Sequence, residues 1–203
     1  LLRGPNPPPS GPSAAVHSPA PLMTTWPSNS NLLPTGSSAA NSIDMNLLHN
    51  VQSVTRVIMN TTVGGLAIDV HFDWAPLGAA QFISLVMAGF YDNSYVFRVV
   101  PGFVAQFGLN SDSNIQSSYS SMAIEDEKQS HPFVSNTIGT LSFASHGPNS
   151  RSTQVFFSLM DNARLDSLGF TPFAKLTDDS LAVSLKFYSE YGEKVDQQRI
   201  QQE

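Results

Sequence analysis

Few side chains in this 203-residue chain stand at spacings that support familiar chemistry. There is no cysteine, which excludes disulfides, thiolate zinc sites and cysteine nucleophiles. The five histidines, His17, His49, His71, His131 and His146, show no metal-binding spacing of the His-Glu-x-x-His kind, so neither a metal nor another cofactor is expected. His71 lies in an apolar run and reads as a structural histidine with a partner. Ser145 and His146 are adjacent, which does not by itself place a base on a serine hydroxyl. No G-x-S-x-G elbow and no Gly-rich phosphate loop with a lysine occurs. Glu125-Asp126-Glu127 and Asp178-Asp179 read as solvated loop charges. What remains is Arg98, set mid-strand in Phe97-Arg98-Val99-Val100-Pro101-Gly102-Phe103-Val104-Ala105-Gln106. Such an arginine is either a surface residue whose stem lies along apolar neighbours or a positioned hydrogen-bond donor. The pattern alone favours the surface.

The elements that would hold these residues begin only at about residue 53. Nine of the fourteen prolines lie in residues 1–40, and residues 1–43 carry one charged side chain, Arg3. Such a stretch buries too little apolar area to offset its ordering entropy. Residues 1–52 therefore read as a Pro/Ser-rich extended tail, either a passive linker, an arm that docks protein partners in a larger assembly, or an organelle-targeting sequence. Leu1 in place of Met reads as a processed or partial chain. Compartment stays open between chloroplast, mitochondrion and cytoplasm.

Residues 53–203 read as one domain. Residues 53–60 and 65–72 are strands joined by a hairpin at Thr61-Thr62-Val63-Gly64. Pro76 suits a first helical turn, and Ala79, Phe82, Ile83, Leu85, Val86 and Phe90 form its apolar stripe, with Gly89 to end it. Residues 95–100 and 103–107 are strands around Pro101-Gly102. Further strands are read at 140–144, 154–159 and 171–176, a loop at 109–121 and a second short helix at 180–190. Many short strands with few helices point to a closed or nearly closed antiparallel barrel. The net charge of −6 argues against a nucleic-acid partner. No apolar run reaches the roughly 18 residues of a membrane span.

Three blocks of sequence, in order, resemble the cyclophilins, peptidyl-prolyl cis-trans isomerases. The first is Gly89-Phe90-Tyr91-Asp92 with Phe97 to Phe103, Gln106 and Gly108. The second is Gly139 to Ala144, Gly147-Pro148-Asn149 and Ser152 to Phe157. The third is Leu165-Asp166 with Thr171 to Lys175. Tyr191-Gly192-Glu193, Asp196 and Arg199-Ile200-Gln201 resemble the late segment of a subgroup of that family. The resemblance implies a mostly β fold, an eight-stranded antiparallel barrel capped by two helices, and a catalytic Arg98. It implies substrate contacts from Phe103, Val104, Gln106, Ala144, Ser145, Phe156 and Leu165, and proline-containing peptides or proteins as partners.

Departures accompany it. Val104 stands for a common Met, Ser145 for Asn, Phe97 for a His and Phe107 for a Gly. Arg164 stands where an aromatic that contacts cyclosporin is common, so weakened cyclosporin binding is expected. The 167–171 loop carries an extra residue, with Gly169 or Phe170 nearest the family's His or Tyr. The family's closing strand, expected after residue 200, is missing. Two functions follow: an isomerase acting on X–Pro bonds in folding or assembly, or a cyclophilin-like scaffold subunit in which activity is weak or dispensable.

Overall fold

The computed structural model describes residues 14–15, 54–128 and 133–195. The remainder of the 1–52 tail, His17, His49, His131 and residues 196–203 lie outside the described residues. Eight strands form one antiparallel sheet: β1 (Ala14–Ala15), β2 (Val54–Thr61), β3 (Gly64–His71), β4 (Val96–Val100), β5 (Val104–Phe107), β6 (Thr140–Phe143), β7 (Val155–Ser158) and β8 (Pro172–Leu176). Their order is β1-β2-β3-β8-β6-β7-β5-β4. The sheet curls but its edge strands, β1 and β4, do not pair with one another among the described residues. It is thus a half-barrel, mostly β, and short of full closure. The β1 pairing, Ala14 with Thr61 and Ala15 with Asn60, was not legible in the Pro/Ser-rich tail.

The hairpin is tighter than the sequence pattern indicates. β2 runs to Thr61 and β3 starts at Gly64, which leaves Thr62-Val63 as a two-residue turn. Gly64 has φ +137, a value that excludes most side chains. Helix α1 (Pro76–Met87) begins at the expected proline and buries Ala79, Phe82, Leu85 and Val86 against the concave sheet face. Alternation along the strands sends Ile68, Val99, Ala105, Phe107, Leu141, Phe157 and Phe173 to that same core. Tyr91 is buried there, its phenol pushed well above its ordinary pKa by burial, and its hydroxyl donates to the Thr153 carbonyl at 2.9 Å. His71 closes β3, stacked at 3.8 Å on Trp74. Burial lowers its pKa, against the opposing charges of Asp73 and Asp69, and the Trp74 ring is its packing partner. No helix among the described residues is long and apolar enough to cross a membrane.

Two expectations are corrected. Residues 109–121 are not all loop: helix α2 spans Ser113–Ser120. The Asp112 carboxylate caps it, accepting from the Asn114 and Ile115 amides, and Tyr119 packs on Phe90. The Ser/Asn content of this segment hid the cap. With α3 (Asp178–Ser184), the described residues hold three α-helices, not two. The acidic run is also not simply solvated. The Glu127 side chain keeps only 9% exposure, pairs with buried Arg151 at 3.0 Å, and accepts from the Leu77 and Gly78 amides at 2.8 and 2.7 Å. It supplies the cap that α1, preceded by Ala75, has no side chain of its own to make. Arg151 also donates to the Glu125 carbonyl.

Truncating Glu127 would remove the nearest carboxylate from a buried guanidinium and leave two helix amides uncapped. Glu127→Ala is expected to cost about 3–5 kcal/mol of folding free energy in chemical denaturation. A loss under about 1 kcal/mol would show that this pair is only a surface contact.

Candidate active site

The convex face of β4, β5 and β7 carries what the concave face does not. Arg98 registers opposite Gln106, and Gln106 opposite Phe156. Three neighbouring strands thus lay a cation, an amide and an aromatic ring side by side, at the cross-strand spacing at which side chains meet. The alternate residues, Val99, Ala105 and Phe157, face the core. Arg98 is therefore not a snorkelling surface arginine. Its side chain retains only 17% exposure, and Nη1 donates to Gln106 Oε1 at 3.1 Å. Gln106 Nε2 in turn donates to Gln154 Oε1 at 2.8 Å.

Beside this polar row lies a second apolar cluster, separate from the barrel core. It comprises Val104, Phe156 and Leu165, with Phe103, Ala144 and Phe170 packed against them. Five of the residues expected in a proline pocket, Phe103, Val104, Ala144, Phe156 and Leu165, thus come together. Phe170, one of two candidates for the family's His or Tyr, joins them edge-on to Phe156 at 5.7 Å. The other, Gly169, has φ +87 and closes the preceding turn. Ser145 is exposed at the cluster's margin and makes no contact that assigns it a role; the neighbouring Ala144 amide is taken by the Gln154 carbonyl. Phe107 stacks on Phe157 in the core and does not enter the cluster. Phe97 is buried.

Several residues hold the cluster in place. Leu165 rides on a 3-10 turn, Ala163–Leu168. The Asp166 carboxylate accepts from Ser135 and from both the backbone and side-chain amides of Asn136, which ties that turn to the chain before β6. Asn162, fully buried, donates from Nδ2 to the Phe103 carbonyl at 2.9 Å. Gly108 lets β5 approach the 153–154 segment: a Cβ there would stand 2.4 Å from the Thr153 carbonyl oxygen. That approach sets Gln154 within reach of Gln106.

Two charged groups complete the site. The Arg164 guanidinium, on an exposed side chain, sits 4.7 Å from the Phe103 ring centroid, and that of Arg98 sits 5.7 Å from it. Glu193, on the turn Gly192–Lys194, clasps Arg98 through two bonds: Nε to Oε2 at 2.9 Å and Nη2 to Oε1 at 2.6 Å. These hydrogen bonds, with the charge behind them, hold the Glu193 carboxyl below its ordinary pKa against an opposing effect of partial burial. Sequence reasoning missed Gln154, Asn162 and Glu193 as site residues. Gln154 stood inside a quoted block and was open to notice; Glu193 is 95 residues from Arg98, and only topology brings the two together. A cavity of about 360 Å³ shares Phe170 with the cluster but is lined by Lys128, Phe133, Val134 and Gly169, without Arg98 or Phe103.

Comparison with known proteins follows this geometry. The family model described as "Cyclophilin type peptidyl-prolyl cis-trans isomerase/CLD" matches residues 56–201. A "Peptidyl-prolyl cis-trans isomerase-like 1" of Gibberella zeae is 32% identical over 113 residues, 55% of this chain and 69% of that one. A peptidyl-prolyl cis-trans isomerase of Acinetobacter baylyi is 31% identical over 127 residues, 60% of this chain and 66% of that one. Among solved structures, a Cryptosporidium parvum cyclophilin determined in the presence of the dipeptide Ala-Pro superposes with TM-score 0.55 at 21% identity. That match covers 70% of this chain and 92% of that one.

The Arg98–Glu193 pair makes a titration testable. A carboxyl with a lowered folded-state pKa stabilises the fold above its ordinary pKa, and that contribution disappears as pH falls through the lowered value. NMR titration should place the Glu193 midpoint below that of an unpaired glutamate, and Arg98→Ala should return it to the ordinary value. An unchanged midpoint in Arg98→Ala would mean that another group sets it.

Proposed function

The chain belongs to the cyclophilin-type peptidyl-prolyl cis-trans isomerase family, and from that premise we propose that it catalyses rotation about X–Pro peptide bonds, with Arg98 as the catalytic residue. The observation that carries the reading is the row Arg98–Gln106–Phe156 beside the apolar cluster of Phe103, Val104 and Leu165. A permanently charged donor and an apolar cluster lie side by side on one face of the sheet.

The chemistry needs little else. An X–Pro bond resists rotation because resonance stiffens it, with a barrier of about 18–20 kcal/mol. Rotation localises a lone pair on the prolyl nitrogen as that atom becomes pyramidal. A guanidinium beside it donates a hydrogen bond that is stronger in the twisted state than in either planar one, which is differential binding of the transition state. Arginine suits the task because it stays charged and its donors form a rigid fork. The bond that Arg98 donates to Gln106 and the cation–π contact with Phe103 fix where that fork points. The apolar cluster grips the pyrrolidine ring and excludes water, while the preceding carbonyl swings. Gln106 and main-chain groups near Ser145 orient the peptide carbonyls. No covalent intermediate is required.

Arg164 beside Phe103 replaces an aromatic surface with a charged one, which supports the expectation of weakened cyclosporin binding. The alternative of a scaffold subunit rests on the 1–52 tail, Arg164 and the altered 167–171 loop; of the tail only Ala14–Ala15 is described, paired with β2.

A charged hydrogen bond contributes roughly 1.5–3 kcal/mol. Arg98→Ala should therefore lower kcat/KM on a proline tetrapeptide by about ten- to a hundredfold. Arg98→Lys should recover only part, since it keeps the charge and loses the fork. Wild-type protein no faster than Arg98→Ala would end the isomerase reading and leave only the fold.

A further inference from the structure

The donor fork that the proposed chemistry needs is already engaged by this chain's own carboxylate. Of the five N–H donors of a guanidinium, Arg98 spends its Nε–Nη2 edge on Glu193 and one Nη1 donor on Gln106. The Gln106 bond steadies the fork. The Glu193 pair does something different: it covers one edge and neutralises the charge that would stabilise a twisted prolyl nitrogen. We infer that Glu193 is an internal competitor for Arg98, a latch whose carboxylate an X–Pro substrate must displace before the arginine can act. The inference rests on the isomerase reading above and concerns regulation of that same site.

The segment that carries Glu193 is built to let go. Among the described residues, Phe187 is the last one anchored in the core, where it stacks near Phe157. From Tyr188 to Val195 no residue is buried. The backbone bonds of the segment are local, Gly192 N–H to the Ser189 carbonyl and Lys194 N–H to the Tyr191 carbonyl. The Tyr188–Tyr191 ring contact is internal to it as well. Among the described residues, the only hydrogen bonds that tie the turn to the sheet are the two that Arg98 donates. Glu193 remains 62% exposed, so the carboxylate exchanges its partner for water at little cost and salt screens the pair. The charge-assisted bidentate geometry nevertheless makes it the preferred resting contact. A turn whose described hydrogen bonds to the sheet all run through Arg98 loses them whenever that group takes another partner.

The test is catalysed cis-trans exchange of a proline tetrapeptide by wild type, Glu193→Ala, Glu193→Gln, Arg98→Ala and Lys194→Ala. Removing an exposed competitor should lower KM by about two- to fivefold in Glu193→Ala, and less in Glu193→Gln. Lys194→Ala, on the same turn but off the arginine, should match wild type. Raising the salt concentration should narrow the gap between wild type and Glu193→Ala. If KM in both Glu193 variants is unchanged or raised while Arg98→Ala is impaired, the latch is wrong and the isomerase reading stands. If Arg98→Ala equals wild type, the isomerase reading itself has failed.

Discussion

The site depends on the register between β4, β5 and β7. A side-chain period of two means that a slip of one residue in any of these strands would turn its set of side chains to the other face. In the observed register Arg98, Gln106 and Phe156 share the convex face, and Val99, Ala105 and Phe157 share the core. The barrel core therefore does more than hold the domain together. By demanding Ala105, Phe107 and Phe157 on one side, it forces the Arg98–Gln106–Phe156 row to the other.

An arginine in that row would ordinarily reach for water. Two features hold it where it is. The Gln106 amide links it to Gln154, and Gln154 is in reach because Gly108 admits a backbone approach that no Cβ would tolerate. The apolar cluster beside it is pinned by Asn162 on the Phe103 carbonyl and by Asp166 on the Ser135 hydroxyl and the Asn136 amide. These supporting residues come from separate stretches of the chain, Gln106 with Gly108 on one side and Gln154, Asn162 and Asp166 on the other, and together they fix the cation and the cluster beside each other. A cation desolvated in this way is a stronger donor than the same cation in water, and the same desolvation draws Glu193 to it.

The legibility of all this in the sequence was uneven, for physical reasons. Strands with β-branched and apolar runs and the proline-started helix were readable because their periodicity is local. Helix α2 was not, because its stability comes from the Asp112 cap and from Gln116 and Tyr119 meeting other elements, none of which raises its own apolar periodicity. Glu127 looked like a surface charge because its partners, Arg151 and the α1 amides, are far away in sequence. The apolar cluster of Phe103, Val104, Ala144, Phe156 and Leu165 was legible only through the resemblance. Pattern alone left Arg98 on the surface, and pattern cannot show that β4 and β5 face a second cluster. Glu193 followed from neither, because a contact between a late turn and an early strand is a property of the closed fold.

The central claim is that Arg98 and the Phe103–Phe156–Leu165 cluster form one proline site. The most direct measurement is a crystal structure with a bound Ala-Pro-containing peptide. The account requires the pyrrolidine ring against Phe103, Phe156 and Leu165, with an Arg98 nitrogen within hydrogen-bonding distance of the prolyl nitrogen or the carbonyl beside it. A peptide seated instead in the cavity lined by Phe133 and Phe170, with Arg98 untouched, would contradict it.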